Sequence, residues 1–310
     1  MDHPQIKREP ALWDVEASKE IPRRSLDQLF ELTQRYRTMQ SYNEMLTFVA
    51  NFRFYSPYNA MLIHTQLPGS RFVAPPDRWI ERYQHSIKPN ARPLVILRPK
   101  GPVMFVFDVS DVEPMHGATA LPAEVTDPFA VKGKGLNSEL EATIENAKRD
   151  GVRISIQQTG SQRAGSIQAA SSGGFVHFEI KKFLKKELVD VPLRFELLFS
   201  GNLSRESRYA TMVHELAHLY CGHLGSPNTE WWPDRRGLGI ETREFEAESV
   251  SYLVCQRLGI ETRSSEYLSG YQNEHGEPPS ISLESVMTTA NLIEKMSKER
   301  LKLRKKQKEP

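Results

Sequence analysis

Tyr209-Ala210-Thr211-Met212-Val213-His214-Glu215-Leu216-Ala217-His218-Leu219-Tyr220 carries the most specific pattern in this chain. His214, Glu215 and His218 form an HExxH pattern set in apolar surroundings. On a helix, positions four apart share a face, so both imidazoles can reach one metal ion. Glu215 lies about a hundred degrees round the wheel from His214, where it can meet a water without being a ligand. Tyr209, Met212, Val213, Leu216, Leu219 and Tyr220 give the helix a wide apolar surface, so it should be largely buried. A lone buried histidine is ordinarily a satisfied core residue. Two at this spacing, with a glutamate between them, point to metal binding.

Working outward, 193–199 reads as a strand, Gly201-Asn202 as a turn and Ser204 as the helix N-cap. His223 lies five residues past His218, about 140 degrees round the wheel if the helix continues, and receives no role. A third ligand is expected from 242–258, which reads as a second helix closed by Gly259. Phe245, Val250, Leu253, Val254 and Leu258 supply its apolar contacts, while Glu244, Glu248 and Ser251 share one narrow stripe. Either stripe carboxylate could ligate. Glu244 is the expected ligand, with Glu248 one turn on accepting a hydrogen bond from a ligand imidazole. A plain solvated helix face is the alternative. Glu246 points the opposite way and is expected in solvent. Between the helices, the loop 230–236 carries Trp231 and Trp232, either as a substrate wall or packed over a core edge.

These motifs, HELAHLYCGH at 214–223 and REFEAESVSYLVCQRLGI at 243–260, resemble the ImmA/IrrE-type zincin metallopeptidases over about residues 136–260. In that family an HExxH helix is followed by a Glu-x-x-Ala-(Asp/Asn/Glu) helix whose first glutamate binds metal. The correspondence falls on Glu244, with Ala247 and Glu248 in the following positions. The resemblance implies one Zn2+ per chain on His214, His218 and Glu244, with Glu215 as catalytic base and a protein or peptide as substrate. Such a zinc ion lowers the pKa of water and polarises a carbonyl, and Glu215 shuttles the proton to the leaving amine. The oxyanion donor is unassigned.

The first third carries a second resemblance. Residues 53–63 (RFYSPYNAMLI), 73–79, 92–99 and 106–110 are similar to the N-terminal domain of ArdC-type antirestriction proteins. In that family this domain binds single-stranded DNA and precedes a zincin domain, and the DNA-contacting candidates here are Arg53, Tyr55, Tyr58, Asn59, Trp79 and Arg98. Residues 1–100 hold 15 Lys+Arg against 10 Asp+Glu. Basic and aromatic residues interleave there, which suits base stacking beside phosphate contacts. An ordinary core, with the rings buried, is the alternative. Ser25 with Gln28 and Ser41 with Glu44 read as capping boxes, Ser56-Pro57 as a helix start, and Leu94–Arg98 and 103–109 as strands.

Length suggests two domains, and the helices and short strands read above suggest an α+β chain. These are a helices-plus-small-sheet domain at 1–115 and a zincin-like metallopeptidase domain with the HExxH helix at 136–293, joined by a linker at 116–135. The residues at 294–310 form a basic tail, expected to continue the preceding helix and fray. The zincin part is read as helix 136–150 and strands Val152–Gln157, 175–180 and 193–199, with 163–174 as a hairpin or loop beside the site. The 310 residues contain no apolar run long enough for a membrane helix and no leader-like N-terminus, so a cytoplasmic location and no membrane partner are expected. Cys221 and Cys255 are expected as small buried hydrophobes, a ligand role or a disulfide being the alternative. The leading expectation is therefore a zinc metalloendopeptidase with a single-strand DNA-binding-like N-terminal domain. A DNA-binding antirestriction-type protein, with the zincin part as scaffold, is the other.

Overall fold

The computed structural model describes residues 36, 38–98, 101–122, 125, 136–157, 164–182, 185–201, 203–262, 268 and 277–304. Helices and small sheets mix as α+β. In chain order they are α1 (Met39–Asn51), α2 (Pro57–Gln66), β1 (Val73–Ala74), α3 (Pro76–Glu81), β2 (His85–Ile87), β3 (Leu94–Arg98), β4 (Gly101–Asp108) and β5 (Val112–Pro114). There follow α4 (Glu139–Arg149), β6 (Val152–Gln157), β7 (Gly165–Ala169), β8 (Phe175–Lys182), β9 (Lys185–Pro192), β10 (Phe195–Ser200), α5 (Arg205–Tyr220), α6 (Ile240–Leu258) and α7 (Leu283–Lys298).

The contacts divide into two compact units, one of Leu62–Pro128 with Tyr36, the other of Arg37–Met61 and Phe129–Pro310. The division differs from the expected boundary at residue 115, and α1 shows why. Its buried stripe, Tyr42, Met45, Leu46 and Val49, packs on α6. The Tyr42 ring lies 5.2 Å from that of Phe245, and its hydroxyl donates to Ser249 Oγ at 2.8 Å. Helix α1 also begins earlier than the Ser41 box suggests. Thr38 is the N-cap, and Ser41 is the N3 member of a reciprocal capping box with it. The Ser25–Gln28 box lies outside the described residues.

In the first unit, β1, β4 and β3 form an antiparallel sheet and β2 pairs with β5. Phe72, Trp79, Tyr83, Phe107 and Val112 form its core. Leu121 and Val125 pack on that core, although they fall within the stretch expected to be a linker.

The second unit centres on a three-stranded sheet in the order β6-β10-β7, with β6 and β10 parallel and β7 antiparallel to β10. Helix α5 packs against β7 and β10 on one side and α6 on another, and α6 in turn meets α1 and α7. The tail does not continue as a helix: α7 stops at Lys298. Leu303 packs beside the β8–β9 hairpin, and Arg304 bonds both oxygens of Asp150 at 2.6 and 3.2 Å while stacking over Trp231 and Trp232. No described helix is long and apolar enough to cross a membrane.

Candidate metal centre

Ser204 caps α5, its hydroxyl accepting from Ser207 N at 3.2 Å, and the apolar residues of the helix are buried on nearly every side. The half-buried remainder includes His214, Glu215 and His218. The neighbouring α6 presents Glu244 and Glu248 to them. His214 Nε2 and His218 Nε2 are 3.2 Å apart, and the Glu244 carboxylate lies 3.5 Å from each ring nitrogen through its two oxygens. Ligand atoms about 2.0–2.1 Å from a tetrahedral zinc ion sit about 3.3–3.4 Å from one another. The three donors therefore fit a zinc-sized cation at the point they surround. Two imidazoles and one carboxylate are also the donor chemistry such an ion takes.

The electrostatics suit a cation. The imidazoles of His214 and His218 hold the Glu244 carboxyl well below the usual carboxylate range. Burial pushes His214 down, but Glu244, Glu248 and Glu215 outweigh it and leave the ring above its ordinary value. At His218 burial wins, and the ring lies below its ordinary value. Glu248 Oε1 stands 3.4 Å from His214 Nδ1, the far nitrogen of that ring. Glu215 is raised by burial, opposed by His214 and by a hydrogen bond from the Ile167 backbone.

That bond comes from β7, in the segment expected to be a hairpin or loop. Its small polar residues lack strand alternation, and pairing with β10 makes it a strand. Gly165 permits the close approach to α5. A Cβ there would meet Thr211 Cγ2 at 2.5 Å and Leu198 O at 2.9 Å, with Glu215 Cγ next at 3.6 Å. Ala164 O accepts from Ser200 N of β10, and Ala170 N donates to Arg194 O just before that strand. The antiparallel alternation then turns the peptide groups of 165, 167 and 169 outward. Among the described residues β7 is an edge strand, so these groups face away from the sheet.

Two further residues stand where helical periodicity does not place them. Glu246 is not in solvent: it is completely buried. Its azimuth is opposite to the Glu244 stripe as expected, but that face of α6 is covered. Arg235 reaches both Glu246 oxygens at 2.6 and 2.7 Å, and Ser282 N donates to one of them at 2.8 Å. His223 Nε2 lies 2.9 Å from the other, and His223 Nδ1 lies 3.0 Å from His218 Nδ1.

His223 reaches its place because α5 does not continue. Gly222, at φ +84°, bonds Leu219 O, and His223 N bonds His218 O, the two bonds of a Schellman turn. That turn folds the residue after the glycine onto the helix residue four before the glycine, here His218. A Cβ on Gly222 would strike Pro233 O at 2.1 Å. The readable signal is the Gly-His pair at 222–223 closing the helix.

Cys221 lies close enough to His223 and Glu246 to suggest a second donor set. The Glu246 oxygens are already taken by Arg235, His223 and Ser282, however, and burial pushes the Cys221 thiol up to about 12. Cys221 and Cys255 are both free and buried. Trp232 is buried with its indole N–H on Gly225 O, and Trp231 is stacked by Arg194, so this pair packs over a core edge.

The DNA-contact candidates divide between the two units. Arg53 donates to Gln256 O at 2.8 Å, the Tyr55 ring stacks on Phe52, and Asn59 N is 3.4 Å from Ser56 Oγ. Burial raises the half-buried Tyr58 hydroxyl. Trp79 corrects the expectation most clearly: it is completely buried, its indole N–H bonds Phe107 O, and it has no free face for a base. Arg98, in the same unit as Trp79, is exposed, whereas Arg53, Tyr55, Tyr58 and Asn59 belong to the other unit.

No family model matches the sequence, and no curated protein matches it. Among solved structures the chain is similar to the antirestriction ArdC protein from the R388 plasmid. The metal-free crystal structure gives a TM-score of 0.36 and the Mn(II)-bound one 0.33, each at 13% identity over 77% of this chain and 84% of that one.

Proposed function

We propose that this chain is a metallopeptidase that holds one divalent cation, zinc in the first instance, on His214, His218 and Glu244. The observation that carries this reading is the triangle of donor atoms, at 3.2 and 3.5 Å spacings, with the Glu215 carboxylate on the same helix beside it. When bound, the cation supplies Lewis acidity, lowering the pKa of water and polarising a carbonyl. The chain's own groups do the rest. Glu215 takes a proton from the attacking water and returns it to the leaving amine nitrogen. Glu248 Oε1, 3.4 Å from His214 Nδ1, attracts that nitrogen and keeps the ring's other nitrogen facing Glu244.

The outward peptide groups of β7 favour a peptide over a small-molecule substrate. An extended backbone laid along that edge can pair with residues 165 and 169 and with the Ile167 carbonyl, and bring its own carbonyl towards Glu215, which holds the Ile167 N–H. The test is a degenerate peptide library incubated with the full-length, zinc-loaded chain and read by mass spectrometry. The expected result is a defined set of cleavages that a chelator abolishes and added zinc restores. Stoichiometric metal with no cleavage anywhere in the library would remove the peptidase reading.

A further inference from the structure

His218 differs from His214 in what lies behind it. Glu248 backs the His214 ring directly, but His218 meets a second imidazole, His223, and only then a carboxylate, Glu246. His223 and Glu246 are buried to 2% and 0% exposure, so water does not compete along this chain. Its hydrogen-bond directions follow from one end. A guanidinium only donates, and Arg235 engages both oxygens of Glu246, with Ser282 N–H adding a third donor. Glu246 is therefore an acceptor, and His223 Nε2, 2.9 Å away, must be the donor. A neutral His223 then has a bare Nδ1. His218 Nδ1, 3.0 Å from it, is then the donor, which leaves the lone pair of His218 Nε2 for a cation at the point shared with Glu244.

We propose that His223, Glu246 and Arg235 are a positioning relay. It fixes the orientation and tautomer of His218 so that Nε2 faces the point shared with His214 and Glu244. The inference rests on the metal reading for its purpose, but its geometry can be tested without metal. The relay also gives the loop between α5 and α6 a task, since that loop carries Arg235 to Glu246 and is anchored by Arg235 N on Gly222 O at 2.8 Å. Coupled partners of this kind change metal affinity by about 10–100-fold when removed.

The experiment compares the full-length wild type with His223→Leu and His223→Asn. Leucine removes the acceptor facing His218, whereas the asparagine carboxamide oxygen can stand in for Nδ1. Two readouts are taken: zinc affinity by competition with a chromophoric chelator, and the His218 tautomer by nitrogen-15 NMR of histidine-labelled, metal-free protein. The expected result is His218 protonated on Nδ1 in the wild type and a mixed tautomer in His223→Leu. That variant should bind zinc about 10–100-fold more weakly, and His223→Asn should recover most of the loss. A purely structural role would lower the melting temperature without moving the tautomer. A wild type with His218 Nδ1 unprotonated, or His223→Leu with unchanged tautomer and affinity, overturns the relay. A wild type that shows the expected tautomer but takes up no zinc supports the relay and refutes the metal centre alone.

Discussion

Replacing Glu215 with glutamine is expected to leave the metal in place and to lower peptide hydrolysis by about 10²–10⁴-fold, the usual contribution of a positioned general base. The separation of the two effects follows from geometry. Glu215 is not one of the atoms converging on the shared point, which are the Nε2 nitrogens of His214 and His218 and the carboxylate of Glu244. It stands beside them, raised above the ordinary carboxylate range by burial and in electrostatic contact with His214 and Glu244. A carboxylate shifted upward is a better proton acceptor than one in water, which suits a base that must later return the proton. Glutamine keeps the size and the bond from the Ile167 backbone while removing the basic oxygen. Zinc titration of both proteins and turnover of a cleaved library peptide check this. A variant retaining activity within about tenfold would exclude Glu215 as the base.

The largest structural effect is expected at Arg257. This buried guanidinium pairs with Glu294 of α7 and donates to Val49 O at 2.6 Å, Phe52 O at 3.0 Å and Tyr55 O at 2.6 Å. One side chain thus closes the C-terminal end of α1 and ties it to α6 and α7. Arg257→Ala strips those carbonyls and leaves Glu294 buried with more distant cations, Lys298 at 3.8 Å and Arg53. Removing one partner of a buried pair costs about 3–5 kcal/mol. In a unit of this size that corresponds to a melting temperature lower by roughly 6–20 °C. Because the penalty is mostly the stranded charge, Arg257→Met combined with Glu294→Leu should recover part of it. Calorimetry of the single and double variants decides this, and a single variant melting within about 2 °C of the wild type would contradict it.

How much of this was legible in the sequence depended on whether the signal was local. The α5 motif was readable because the spacing of His214 and His218 is itself the geometry. The second helix, with Glu244 and Glu248 on one stripe and Gly259 at its end, was readable for the same reason. Glu246 was placed at the right azimuth but the wrong environment, because a helical wheel cannot say that α1, α7 and the Arg235 loop cover the opposite face. His223 was hidden by assuming that α5 runs on past Gly222. Strand β7 has no alternation to read, and only pairing with β10 makes it extended. The tail read as a fraying helix because its lysines dominate, yet Arg304 and Leu303 fold back onto Asp150, the two tryptophans and the β8–β9 hairpin. Interleaved arginines and aromatics around Trp79 looked like a stacking surface, and the structure uses the rings as core.

His214, His218 and Glu244 are expected to hold one metal ion between them. Elemental analysis of the purified full-length chain after incubation with excess zinc, beside Glu244→Ala, tests it most directly. One zinc per wild-type chain is expected, with loss of that zinc in the variant and the fold of both intact by circular dichroism. A folded wild type that takes up no metal, or a variant that keeps its full equivalent, would contradict it.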